Sequence, residues 1–81
     1  MQEDEKLKKL IAKKIGEAIR FYRNKKNLSQ EKLAFNIGVD RTYISALEQG
    51  VKCASVYCLF LIAKELQTDI KNFIDINITS L

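Results

Sequence analysis

Over the first 26 residues, Leu7, Leu10, Ile11, Ile15, Ala18, Ile19 and Tyr22 recur at spacings of three and four. That stripe predicts an amphipathic helix from about Glu5 or Leu7 to Lys26, one face turned to a core. The residues before it, with the cluster Glu3-Asp4-Glu5, are expected to fray. Gly16 costs a helix about 1 kcal/mol relative to alanine, so its presence in the stripe points to close packing there. Asn24-Lys25-Lys26-Asn27 ends the helix, and Leu28 leads onward.

The pattern then shortens. Ser29 is placed to cap a helix in which Leu33 and Ala34 are the apolar positions, and Gly38 ends it by taking the left-handed conformation. Asp40 can cap a second short helix, Arg41 to about Gln49. Ile44, Leu47 and Val51 fall on one side of it, with Arg41, Thr42, Ser45, Ala46 and Gln49 on the other. Two short helices joined by a tight glycine turn make a helix-turn-helix.

A fourth helix is expected from about Ser55 to Leu66. Its run Val56 to Ala63 is apolar all the way round, yet at about eight residues it is far short of the roughly twenty needed to cross a bilayer. A helix apolar on every side needs cover on every side, more than so small a domain offers. Another chain is therefore expected over Tyr57, Phe60 or Leu61. Thr68 or Asp69 would cap a short fifth helix with Ile70, Phe73 and Ile74 on one face. From Asp75 to Leu81 apolar and polar residues alternate, leaving open a terminal strand, a continued helix or a loose end, with partial order at a subunit contact favoured.

Eighty-one residues with 47% hydrophobic and 30% charged content describe one globular domain, marginal in stability without a partner. Histidine is absent, which removes the commonest metal ligand and general base and argues against an enzyme. The net charge of +4 is unevenly spread: residues 1–26 hold nine of the fourteen Lys and Arg against four acids, residues 53–81 two against three. One basic end suits a polyanion and one near-neutral end suits protein. Cys53 and Cys58 follow no signal-peptide or lipidation pattern, so a cytoplasmic protein with reduced thiols is expected. Five residues apart, they would lie on roughly opposed sides of a helix, and without histidine they cannot complete a zinc site.

The stretch Ser29 to Gly50 resembles the helix-turn-helix of the Cro and phage-repressor (XRE-like) family through Gln30, Leu33, Ala34, Gly38, Val39, Ile44, Ser45, Leu47, Glu48 and Gly50. Within that family, Arg41-Thr42-Tyr43-Ile44-Ser45 looks most like the controller proteins of restriction-modification systems. The resemblance spans about Ile11 to Phe73. It implies an all-α, compact five-helix, lambda-repressor-like domain with the motif at helices 2 and 3, and core positions Leu59, Ile62, Ala63 and Leu66 in helix 4. It also implies an ion pair between Arg23 and Glu48, and spacing independently sets Glu48 beside core-facing Ile44 and Leu47, where an unpaired carboxylate would be costly.

In such a motif helix 2 lies across the DNA backbone while helix 3 enters the major groove amino end first. Arg41 is then the leading candidate for base readout, forking to O6 and N7 of guanine, with a plain phosphate contact as the other reading. Thr42 suits a thymine methyl or a phosphate, and Ala46 and Gln49 lie further along the same face. Tyr43 would reach the backbone or a base edge, or pack laterally. Gln30 looks like the family glutamine that contacts phosphate and braces helix 3. Lys52, Ser45 and Ser55 are candidate backbone contacts, and Lys25 and Lys26 sources of diffuse attraction.

Too few base contacts fit one such unit. A two-fold homodimer joined through Tyr57, Phe60, Leu61, Ile70, Phe73 and Ile74 would double them. The expected protein is a homodimeric, sequence-specific regulator of transcription on double-stranded DNA, needing no cofactor, metal, small-molecule ligand or membrane. The controller resemblance implies an operator at its own promoter. The alternative is an antitoxin or similar regulator whose helix 4–5 face binds another polypeptide. RNA binding lacks an aromatic stacking platform.

Overall fold

The computed structural model describes residues 2–77, with side chains from Asp4 onward. Five helices follow in order: α1 (Gln2–Lys25), α2 (Gln30–Ile37), α3 (Arg41–Glu48), α4 (Val56–Glu65) and α5 (Lys71–Ile74). No strand occurs among the described residues. Helix α1 begins at Gln2, ahead of its apolar stripe. Met1 and residues 78–81 lie outside the described part, and with them most of the alternating tail. Of that tail, residues 75–77 are irregular, with Ile76 packed against the core.

The predicted caps hold the short helices in place. Ser29 Oγ accepts from the Lys32 amide at 2.9 Å and Asp40 Oδ1 from the Thr42 amide at 2.8 Å, each satisfying a donor that the first turn leaves free. Ser55 Oγ does the same for the Cys58 amide at the start of α4, a cap the sequence pattern had not assigned. Ahead of α5, the flanking residue Ile70 makes no side-chain cap bond; one residue earlier Asp69 Oδ1 accepts from the Lys71 amide at 2.9 Å, and Thr68 Oγ1 accepts from the Asn72 side chain.

The first four helices end alike, on a left-handed residue: Asn27, Gly38, Gly50 and Gln67. After α3, the Val51 amide reaches back to the Ala46 carbonyl and the Gly50 amide to Leu47, the paired bonds of a Schellman turn. After α2, Val39 bonds Ala34 and Gly38 bonds Phe35 in the same way. Each pair occupies carbonyls that the helix end would leave unbonded and turns the chain sharply.

Ile19, Leu33, Ile44, Leu47, Ile62, Leu66 and Phe73 are sealed in one core, with Ile15, Ala34, Cys58, Leu59 and Ala63 around them. Helix α1 packs on α3 and α5, and α2 on α3 and α4. Leu59, Ile62, Ala63 and Leu66 are all buried. Three expectations from periodicity are corrected. Leu10 is 39% exposed, while Ala12 is buried. Val51 is 72% exposed, since the turn at Gly50 carries it off the inner face of α3. Phe73 is 1% exposed, enclosed by the chain's own core with its ring edge-on to Tyr22 at 5.9 Å, so it has no surface to offer a second subunit.

Candidate nucleic-acid interface

Helix α3 is held from beneath by Ile44 and Leu47, both fully buried, and this turns Arg41, Thr42 and Gln49 to solvent. Tyr43, Ser45 and Ala46 are half-buried at its flanks. Asp40 fastens the amino end twice, accepting from the Thr42 amide and from Thr42 Oγ1 at 2.7 Å. The hydroxyl proton of Thr42 is thereby committed, leaving its methyl group and an oxygen lone pair. Those two bonds, more than neighbouring Arg41, hold the Asp40 carboxyl below its ordinary range. Further along, Gln49 Nε2 donates to Ser45 Oγ at 3.0 Å, linking two of the expected contact residues.

Arg23 and Glu48 meet in the interior, 8% and 7% exposed. Arg23 Nε donates to Glu48 Oε2 at 2.6 Å and Nη2 to Oε1 at 3.0 Å, while Nη1 donates to the Leu28 carbonyl at 2.6 Å. The fork matches a carboxylate, and the remaining guanidinium edge ties the α1–α2 connection to the pair. Two further bonds join Gln30 to α3. Gln30 Nε2 donates to Glu48 Oε1 at 3.0 Å, and Arg41 Nη1 donates to Gln30 Oε1 at 3.3 Å. Gln30 is accordingly half-buried and not free on the surface.

Tyr43 leans back on the core beside Cys58, with the Lys52 ammonium 5.9 Å from its ring centre. Burial raises the Tyr43 hydroxyl, with the neighbouring Cys58 adding to it. Burial likewise raises the Cys58 thiol, partly offset by a hydrogen bond with Tyr43. Both groups keep their protons at neutral pH. Lys52 is exposed just past α3, and Lys8 and Lys9 of α1 line the same hollow as Gly50, Val51 and Cys53. Basic residues thus flank the far end of α3. Cys53 sits in the connection before α4 and not on a helix with Cys58; both thiols are free.

On α4 and α5 the apolar side chains divide. Val56 (66%), Tyr57 (73%), Phe60 (55%) and Ile74 (50%) stand in solvent, whereas Leu61 and Ile70 are half-covered. Phe35 on α2 and Phe21 on α1 are also well exposed, and neither was singled out by periodicity because each lies off its helix's apolar stripe. No cluster of three or more metal-ligating side chains occurs among the described residues, and no helix there is long and apolar enough to cross a membrane.

A short polar helix pushed outward by its own buried side, capped by Asp40 and braced by a second short helix across a left-handed turn, is the groove-reading device of a DNA-binding protein. Sequence comparison matches residues 19–73 to the helix-turn-helix family. The control protein C.SmaI of Serratia marcescens is 41% identical over 56 residues, 69% of this chain and 67% of that protein. The solved restriction-modification controller protein C.AhdI of Aeromonas hydrophila superposes with a TM-score of 0.73 at 34% identity, covering 76% of this chain and 94% of that one. The controller C.Esp1396I, solved as a tetramer in complex with its natural 35 base-pair operator, superposes with a TM-score of 0.70 at 32% identity, covering 80% and 86%. The chain belongs to the helix-turn-helix family of DNA-binding transcriptional regulators, with restriction-modification controller proteins among its relatives.

Proposed function

We propose that this chain is a homodimeric controller that binds a two-fold operator at its own promoter and times expression of a restriction endonuclease. The carrying observation is the outward amino end of α3, Arg41 and Thr42, over a sealed Ile44 and Leu47. Arg41 reads guanine, the Thr42 methyl meets thymine, and Ala46 and Gln49 extend the reading edge. Gln30, Tyr43, Ser45, Lys52 and Ser55 meet the sugar-phosphate backbone; Ser55 does so from the capped start of α4. The exposed apolar face, Tyr57, Phe60 and Ile74 with Leu61 and Ile70 at its edge, joins two copies, setting their α3 helices for half-sites about 34 Å apart. Likeness to a controller solved as a tetramer on its operator supports this arrangement. The reading involves no catalysis and puts the protein in the cytoplasm with its DNA.

The test is a selection of bound duplexes from random-sequence DNA, followed by titration of wild-type and Arg41→Ala protein. Arg41→Ala should weaken the selected duplex far more than random DNA. Equal losses would reduce Arg41 to a phosphate contact. Light scattering of the purified chain checks the dimer, and a monomer would favour a regulator whose apolar face takes a different polypeptide.

A further inference from the structure

Two large apolar side chains of α1 lie outside the core and outside the α4–α5 face: Leu10, 39% exposed, and Phe21, 59% exposed. They are not scattered. Leu10, Lys14, Glu17 and Phe21 follow one another at spacings of four, three and four, which at about 3.6 residues per turn sets them in one stripe about 60° wide. All four are exposed, on the side of α1 opposite the buried Ile15 and Ile19. Phe21 is steadied from within the chain, its ring edge-on to that of Tyr22 at 5.0 Å. Lys14 and Glu17 have no ion-pair or hydrogen-bond partner among the described residues, although they are neighbours on one helix face.

The stripe is complementary to itself in one orientation. Against a second copy running the opposite way, about a two-fold axis between Lys14 and Glu17, each Leu10 meets a Phe21 and each Lys14 meets a Glu17. Run parallel, the same faces would set lysine on lysine and glutamate on glutamate. We propose that the outer face of α1 is a contact between copies of this chain, antiparallel to itself, that joins neighbouring dimers on DNA. The DNA-bound dimer is the reading given above, and the contact rests on it. Two apolar side chains from each copy fall well short of the roughly 1,000 Å² that a stable interface buries, so the contact is weak in free solution. Adjacent sites on one duplex supply the effective concentration it lacks. Exposed ion pairs add little energy, yet they fix register and partner because a wrong charge opposite repels.

The experiment uses duplexes carrying one or two copies of the site that wild-type protein selects from a random pool, the two copies set apart by spacings stepped one base pair at a time through a helical turn. Gel-shift titration at one low salt concentration gives the gain in affinity of the second site over a single one. Wild type should show that gain at spacings sharing one helical phase. Lys14→Glu and Glu17→Lys should each lower it about five- to tenfold, since both pairs across the axis turn from attraction to repulsion. One variant lowers the net charge and the other raises it, so a loss common to both does not come from attraction to phosphate. Lys14→Glu/Glu17→Lys should restore the gain by exchanging the partners. Single variants that keep the gain, or a double variant that fails to recover it, would overturn the inference. No gain for wild type at any spacing would also overturn it, and would give the face to a different polypeptide. A single-site complex holding one copy of the chain would instead overturn the homodimer reading, and the comparison of one site with two would still decide this contact. Circular-dichroism melts establish that each variant is folded.

Discussion

Gly16 of α1 lies so close to the Leu47 carbonyl of α3 that a β-carbon built on it would sit 2.1 Å from that oxygen, with the Glu48 carbonyl oxygen at 2.8 Å. The two helices touch backbone to backbone there. The obstacle is main chain on a packed helix, so it cannot swing aside as a flexible side chain would.

Gly16→Ala should consequently destabilise the protein, although alanine is the better helix former by about 1 kcal/mol. Forcing α1 off α3 should cost about 1 to 3 kcal/mol net, the usual scale of overpacking. Urea unfolding followed by circular dichroism measures it. An unchanged or raised midpoint would mean that the helices part without penalty.

Breaking the interior ion pair from one side should be worse than removing it. Arg23→Met strands the Glu48 carboxylate at 7% exposure, at a cost of about 3 to 5 kcal/mol. The combination Arg23→Met/Glu48→Met leaves no uncompensated charge and should recover much of that loss. Denaturant titrations of the two singles and the double give the comparison, and strictly additive losses would deny that the residues act as a pair.

Asp40 predicts how acid acts on the amino end of α3. Its carboxyl is held low by the Thr42 hydroxyl and amide, so the folded state prefers the ionised form more than the unfolded chain does. That stabilisation is complete above the unfolded chain's ordinary carboxylate range and is lost as pH falls through the depressed folded value. Wild type should therefore exceed Asp40→Asn in stability at neutral pH, with the gap closing in strong acid. Thermal melts from pH 7 to pH 2 would show it; a gap that widens on acidification has the wrong sign.

Two aromatic residues thirteen positions apart should fail in different ways. Phe73→Ala empties a sealed site and should cost about 3 to 5 kcal/mol of folding stability. Phe60→Asp, at a position 55% exposed, should keep the monomer's helical spectrum and melting close to a monomeric reference, yet shift sedimentation toward the single chain. Operator affinity should fall with it. A Phe60→Asp protein that remains dimeric would move the subunit contact elsewhere.

Period and cap chemistry determined much of this protein in advance. Spacings of three and four marked α1, the caps at Ser29 and Asp40 lay next to the helices they start, and Gly38 announced the turn; all are local effects between residues a few positions apart. The outward Arg41 and Thr42 were legible for the same reason, because alternating sides of a short helix suffice to place them. Tertiary structure decided what depends on the far side of each helix. Leu10 and Phe73 both looked like members of apolar stripes, but one meets solvent and the other the ring of Tyr22, since burial depends on which neighbour arrives and not on the stripe itself. Spacing could set Glu48 beside the core, but the Gln30 amide joining it to Arg41 involves residues eleven and eighteen positions apart. Such a bond exists only once α2 and α3 have packed, because hydrogen bonds between distant side chains follow from the fold and not from any repeat in the chain.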